Sequence, residues 1–157
     1  MTSVAANANR SLYLSRILLA AWRKALAEEA VPALTLQQAF LPGAREHLVN
    51  AYGWFLLEIT DASCPPGAAP PRCASELPEV PEGKAVSGEL RECQRLEQVG
   101  WLGDLLSGSD VAPGSQARTS GNLASPAQSL GDCADVTDWA EQLETMMTRM
   151  RDSLDEY

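Results

Sequence analysis

His47 is the only histidine in this chain of 157 residues, so any metal or general-base chemistry would have to be built around it. A metal needs further ligands, and a base needs a proton within reach and a group to orient it. Glu46 is adjacent in sequence, and on a helix adjacent side chains do not face each other. A di-iron bundle takes Glu-x-x-His from two helices, which one histidine cannot supply. The four cysteines, Cys64, Cys73, Cys93 and Cys133, contain no Cys-x-x-Cys pair, the spacing of a zinc ribbon or a thioredoxin-type centre. Cys64 and Cys73 could pair in an oxidising compartment; in a reducing one all four are thiols. Cys93 reads as a small core residue. There is no Gly-x-Ser-x-Gly elbow and no Gly-rich phosphate loop. The neighbouring acids Glu28 and Glu29 belong to a helix surface and lack a pocket. The expectation is a non-enzymatic chain with no catalytic residue, no metal and no cofactor; an enzyme, the third reading, would need a buried polar cluster around His47.

Binding is the chemistry left open. Trp22, Trp54, Trp101 and Trp139 fall one to each predicted helix, and such side chains fill cores or anchor contacts. Trp54 lies at the edge of its apolar stripe and shares a helix side with His47; these two are the candidate lining of a ligand groove. Met146, Met147 and Met150 cluster near the C-terminus, where flexible thioethers serve a core or an adaptable surface.

Composition narrows the partners. The net charge is −9, with 45% hydrophobic and 21% charged residues, as in ordinary soluble domains. The charge is uneven. Residues 1–60 carry five Lys/Arg against four Asp/Glu, and residues 61–157 carry seven against seventeen. Such a surface repels nucleic acid and anionic lipid and tolerates a basic protein partner. No basic segment precedes an apolar run at the N-terminus, and Ile17–Trp22 is too short to span a bilayer. A cytoplasmic location without membrane insertion is expected.

These residues must be positioned by helices. A first helix is predicted over about 9–30. Leu14, Ile17, Leu18, Ala21, Trp22 and Ala25 share one face, taken as the core face. Leu12, Leu19 and Leu26 repeat every seven residues on roughly the opposite side, which predicts a contact face or homodimer seam. A second helix covers about 35–61 with the stripe Leu41, Ala44, Leu48, Ala51, Tyr52, Phe55 and Ile59. Pro42 within it predicts a kink or a fresh start. Residues 62–86 hold six of the ten prolines and form a loop. A third helix, about 88–107 with Ser87 as its cap, is kinked or split near Gly100. Residues 108–134 are Ser/Gly/Ala-rich, a long connection that is functional or disordered. A fourth helix, about 135–154, starts at a cap on Asp135 and carries Val136, Trp139, Leu143, Met146, Met147, Met150 and Leu154. No segment alternates as a strand. The expectation is one all-α domain over 1–157, an antiparallel four-helix bundle with two long irregular loops.

Leu12-Tyr13 followed by Ala21-Trp22-Arg23-Lys24, the run Arg45-Glu46 through Leu48 to Tyr52-Gly53 and Glu58-Ile59, the pair Trp101-Leu102 before Leu105-Leu106, and Trp139 and Leu143 with Arg149 through Ser153-Leu154 form a pattern. On these residues the chain resembles a family of small helical proteins, domain of unknown function 6586. The resemblance implies a helical bundle of bacterial origin and supplies no activity and no site residues. The leading expectation is action through contacts with an unidentified protein partner or a second copy, at Leu12, Leu19 and Leu26. The alternative is a small-ligand or lipid-binding bundle, with its cavity between the second and fourth helices near Tyr52 and Trp54.

Overall fold

A serine sets the start of the first helix. The Ser3 side chain accepts the Ala6 N–H at 3.1 Å, occupying a donor with no partner inside the helix. In the computed structural model, which describes residues 3–78, 85–107 and 131–156, α1 therefore begins earlier than its apolar pattern and spans Val4–Glu28. Glu29 then turns left-handed, at φ 53°, and donates its N–H to the Leu26 carbonyl. Pro32 follows at the N-cap of α2 (Ala33–Ile59).

α2 runs unbroken through Pro42, where a kink or a new start was expected. Pro42 and Gln38, four residues earlier, both face solvent, so water can take the carbonyl that the proline ring leaves without a donor.

α3 (Gly88–Val99) is capped by Ser87, which accepts the Leu90 N–H at 3.2 Å. Gly100 is extended, and α4 (Trp101–Ser107) follows. Arg45 of α2 closes the end of α4, its guanidinium donating to the Leu105 and Leu106 carbonyls at 2.8 Å each. α5 spans Cys133–Asp155. Its cap is Asp132, not Asp135. Asp132 accepts the Asp135 N–H at 2.8 Å, and the Asp135 side chain reaches back to the backbone N–H of Gly131 and Asp132. The reciprocal box uses an acid pair three residues apart, one pair earlier in the sequence than expected. Gly131 sits at φ 112° with Leu41 packed over it, a conformation and a closeness that exclude a side chain. No strand occurs among the described residues, and no described helix is long and apolar enough to cross a membrane. The expected disorder of 108–134 falls mostly outside the described residues; within them, Asp132 and Cys133 belong to the start of α5.

The core stripes of α2 and α5 follow the periodic pattern in Leu48, Tyr52 and Phe55, which meet Leu143, Met147 and Met150, all fully buried; Val49, Leu56 and Leu57 are buried beside them, and Leu154, expected to close the stripe, is exposed in the last turn. α1 differs. Its buried residues are Ala8, Leu12, Ser15, Leu19 and Trp22, alternating four and three apart. Leu12 and Leu19 are therefore core residues at 7% and 3% exposure, and the outer seam assigned to them does not exist. Leu26, half-buried, packs against the same core. Small Ala8 and Ser15 complete the stripe, and the Ser15 hydroxyl is satisfied by the Leu12 carbonyl at 2.6 Å. Trp22 stacks on Phe40 of α2 with ring centroids 6.0 Å apart.

Polar ties fix α1 and α2 to α5. Arg16 pairs with Glu144, and Arg23 reaches Thr137. Arg151 forks onto both oxygens of Glu58 at 2.7 and 2.8 Å, donates to Asn9 at 2.8 Å and lies over the Phe55 ring. One guanidinium thus joins three helices.

Candidate functional site

With Leu12 and Leu19 turned inward, α1 presents a different stripe to solvent. Arg10, Tyr13, Ile17, Ala21 and Lys24 project outward at helical spacing, and Tyr13 and Ile17 are 64% and 48% exposed. Leu18, on the flank of α1, packs towards Gly43 of α2. Arg16 and Arg23, on the other flank, engage α5. Arg10 and Lys24 have no ion-pair partner among the described residues. The helix is thus apolar on two sides, as the sequence implied, but the division differs: Trp22, Leu18 and Ala25 of the expected core face do pack inward, Leu12 and Leu19 join them, and Ile17 and Ala21 turn to solvent. The three-, four- and seven-residue steps from Arg10 through Tyr13 and Ile17 to Lys24 would have revealed this face.

On the far side of α5 lies a groove of about 450 Å³ against α3 and α4. Leu96, Trp101 and Met146 give it an apolar lining, and Asp138, Glu141 and the Glu92–Arg149 pair give it a polar rim. Asp138 accepts from Gln142 at 2.7 Å, and Glu141 has no cationic partner among the described residues. Three carboxylates against one guanidinium leave the rim acidic. The sequence pattern offered no signal for this groove, because it forms only where three helices meet.

A polar seam lies beneath the proline-rich strap over residues 62–78. The buried Tyr52 hydroxyl donates to Glu97, which also accepts the Ala74 N–H at 2.8 Å. Burial, then the neighbouring Cys93 and Glu97, pushes the Tyr52 hydroxyl far above its ordinary range. Burial, then the charges of Glu92 and Glu97, pushes the Cys93 thiol up to about 12. Neither group ionises near neutrality, and Glu97 ties the strap to the helices through the Ala74 N–H. Arg72 holds the strap from outside by forking onto Glu46 at 2.7 and 3.2 Å, which keeps that carboxyl below its usual range. Gly53 allows the strap this close, since a Cβ there would collide with the Pro71 carbonyl oxygen. A shallow groove of about 420 Å³ remains between the strap and α2, lined in part by Asn50, Leu57 and Cys64.

His47 and Trp54 are both half-buried on α2, and Trp54 packs against the core. Neither lines the two grooves described above. Tyr52 and the three methionines, which suggested a ligand cavity, fill the core. Cys64 and Cys73 are half-exposed free thiols, and Cys93 and Cys133 are buried ones. Among the described residues no three of His, Cys, Asp and Glu converge as a metal would require.

The described elements define an all-helical protein whose distinctive surfaces are an apolar–basic helix face and an acidic groove. The chain belongs, over residues 1–157, to a family of unknown function, DUF6586. No curated protein and no solved structure matches it.

Proposed function

We propose that this chain is a non-enzymatic helical bundle that acts through protein contacts made by the outward face of α1. One observation carries the reading. α1 fills the core with one stripe and still exposes Tyr13 and Ile17 on another, flanked by Arg10 and Lys24. A solvated helix face has no need of a tyrosine and an isoleucine one turn apart, whereas a contact face gains from both. On the same reading the fold is an antiparallel four-helix bundle in which α3 and α4 together take one helix position.

Capture tests this. The full chain and an Ile17→Glu variant are immobilised and exposed to the same native extract, with circular dichroism confirming equal folding. The proteins held by the unaltered chain should be absent from the variant. An identical captured set on both rejects the α1 face as the contact.

A further inference from the structure

We infer that the outward face of α1 docks into the acidic groove between α3, α4 and α5 of a second copy of this chain. The inference rests on the α1-face reading and names the partner.

The two surfaces match in kind. The α1 face offers Tyr13 and Ile17 between Arg10 and Lys24, and the groove offers Leu96, Trp101 and Met146 beneath Asp138 and Glu141. The apolar parts gain by leaving water together, and one basic end of the face meets Asp138 and Glu141, which stand about one helical turn apart on the rim. Arg10 and Lys24 stand about 21 Å apart along the helix, so the face is an elongated ridge suited to a groove between helices.

One copy cannot satisfy both surfaces. α1 lies on the flank of α5 that carries Thr137, Glu144 and Arg151. The groove lies on the flank that carries Asp138, Gln142 and Arg149. The match is therefore available only between molecules. The charge division along the chain supports the same pairing. The half containing α1 has five Lys/Arg against four Asp/Glu, and the half containing the groove has seven against seventeen. A ridge set into a different surface is a heterologous contact. It closes reciprocally into a dimer or continues into a ring or chain.

Charge reversal on each side tests the docking. One full-length variant carries Arg10→Glu and Lys24→Glu; the other carries Asp138→Lys and Glu141→Lys. All four positions are exposed, and thermal melts confirm that both variants fold. Sedimentation velocity follows each protein over about 10 to 500 µM, the range in which a small interface associates. The unaltered chain should associate. Each variant alone should weaken association about tenfold or more, because like charges then face each other. An equal mixture of the two variants should associate again, because the reversed face meets the reversed groove and the unaltered face of one variant meets the unaltered groove of the other. A wild-type chain that stays monomeric throughout, or a mixture that does not recover, overturns the inference. If the chain is monomeric yet Ile17→Glu abolishes capture of another protein, self-docking is refuted and the α1-face reading stands.

Discussion

Turning Leu19 inward and Ile17 outward on α1 has a sharp energetic consequence, which two neighbouring substitutions expose. Leu19 is 3% exposed among Leu12, Trp22 and the α2 stripe, and Ile17 is 48% exposed on the opposite side. Leu19→Ala removes a fully packed side chain and leaves a cavity, a change that costs about 2–5 kcal/mol. Ile17→Ala gives up only the part of its transfer free energy that burial secures, roughly 1 kcal/mol, and recovers some of it through the better helix propensity of alanine. At this chain length each kcal/mol lowers the melting temperature by about 2–4 °C. Leu19→Ala should thus melt roughly 4–20 °C below the parent, and Ile17→Ala within about 4 °C of it. Thermal and urea unfolding followed by far-ultraviolet circular dichroism measure both. Equal losses, or a larger loss at Ile17, would refute the assignment of the faces and remove the basis of the docking surface.

Further expectations concern the ties that hold the helices and strap. Glu58→Ala strands the Arg151 guanidinium in a half-buried site; it should cost about 1–3 kcal/mol, and a double cycle with Arg151→Ala should recover part of this loss as coupling. Gly53→Ala drives a methyl into the Pro71 carbonyl and should loosen the strap; limited proteolysis within residues 62–78 should quicken while α-helix content holds, and an unchanged cleavage rate would contradict the close approach. A thiol reagent at pH 8 should label Cys64 and Cys73 promptly and Cys93 and Cys133 only after unfolding; four fast thiols would contradict the core. The protonated Cys93 thiol is favoured in the fold, so its contribution is complete below pH 9, the ordinary thiol value, and fades as pH rises towards 12. Tyr52 adds in the same direction. Urea midpoints should fall over this alkaline range, and less so in Cys93→Ala.

Periodicity made most of the helices legible because the stripes read for α2 and α5 hold their large core side chains, although Val49, Leu56 and Leu57 of α2 are buried as well and Leu154 of α5 is not. Leu48, Phe55, Leu143 and Met147 could face only inward. α1 was ambiguous for a physical reason. Its true core stripe includes Ala8 and Ser15, small residues that look neutral in a pattern of apolar residues, while Tyr13 and Ile17 enrich the outer face. The Ser15 hydroxyl bonds to its own backbone, and no sequence pattern signals that a serine will be buried in this way. The cap of α5 is ambiguous in the sequence because Asp132, Asp135 and Asp138 repeat at the same interval; in the fold Asp132 accepts the Asp135 N–H, and Asp135 accepts that of Gly131. The groove and the Arg151 fork join residues far apart in the chain, so periodicity within one helix carries no record of them.

One stretch of α2 governs how the last helices are placed. Arg45 holds the final carbonyls of α4, while Gln37 donates to the Gly131 carbonyl and Leu41 packs over that glycine just before α5. The chain leaves and re-enters this core at two posts roughly 12 Å apart along a single helix. Side chains on a third element thus hold the end of α4 and the start of α5 in register. Any connection long enough to step from one post to the other would satisfy the scaffold, since lengthening a loop adds little closure entropy.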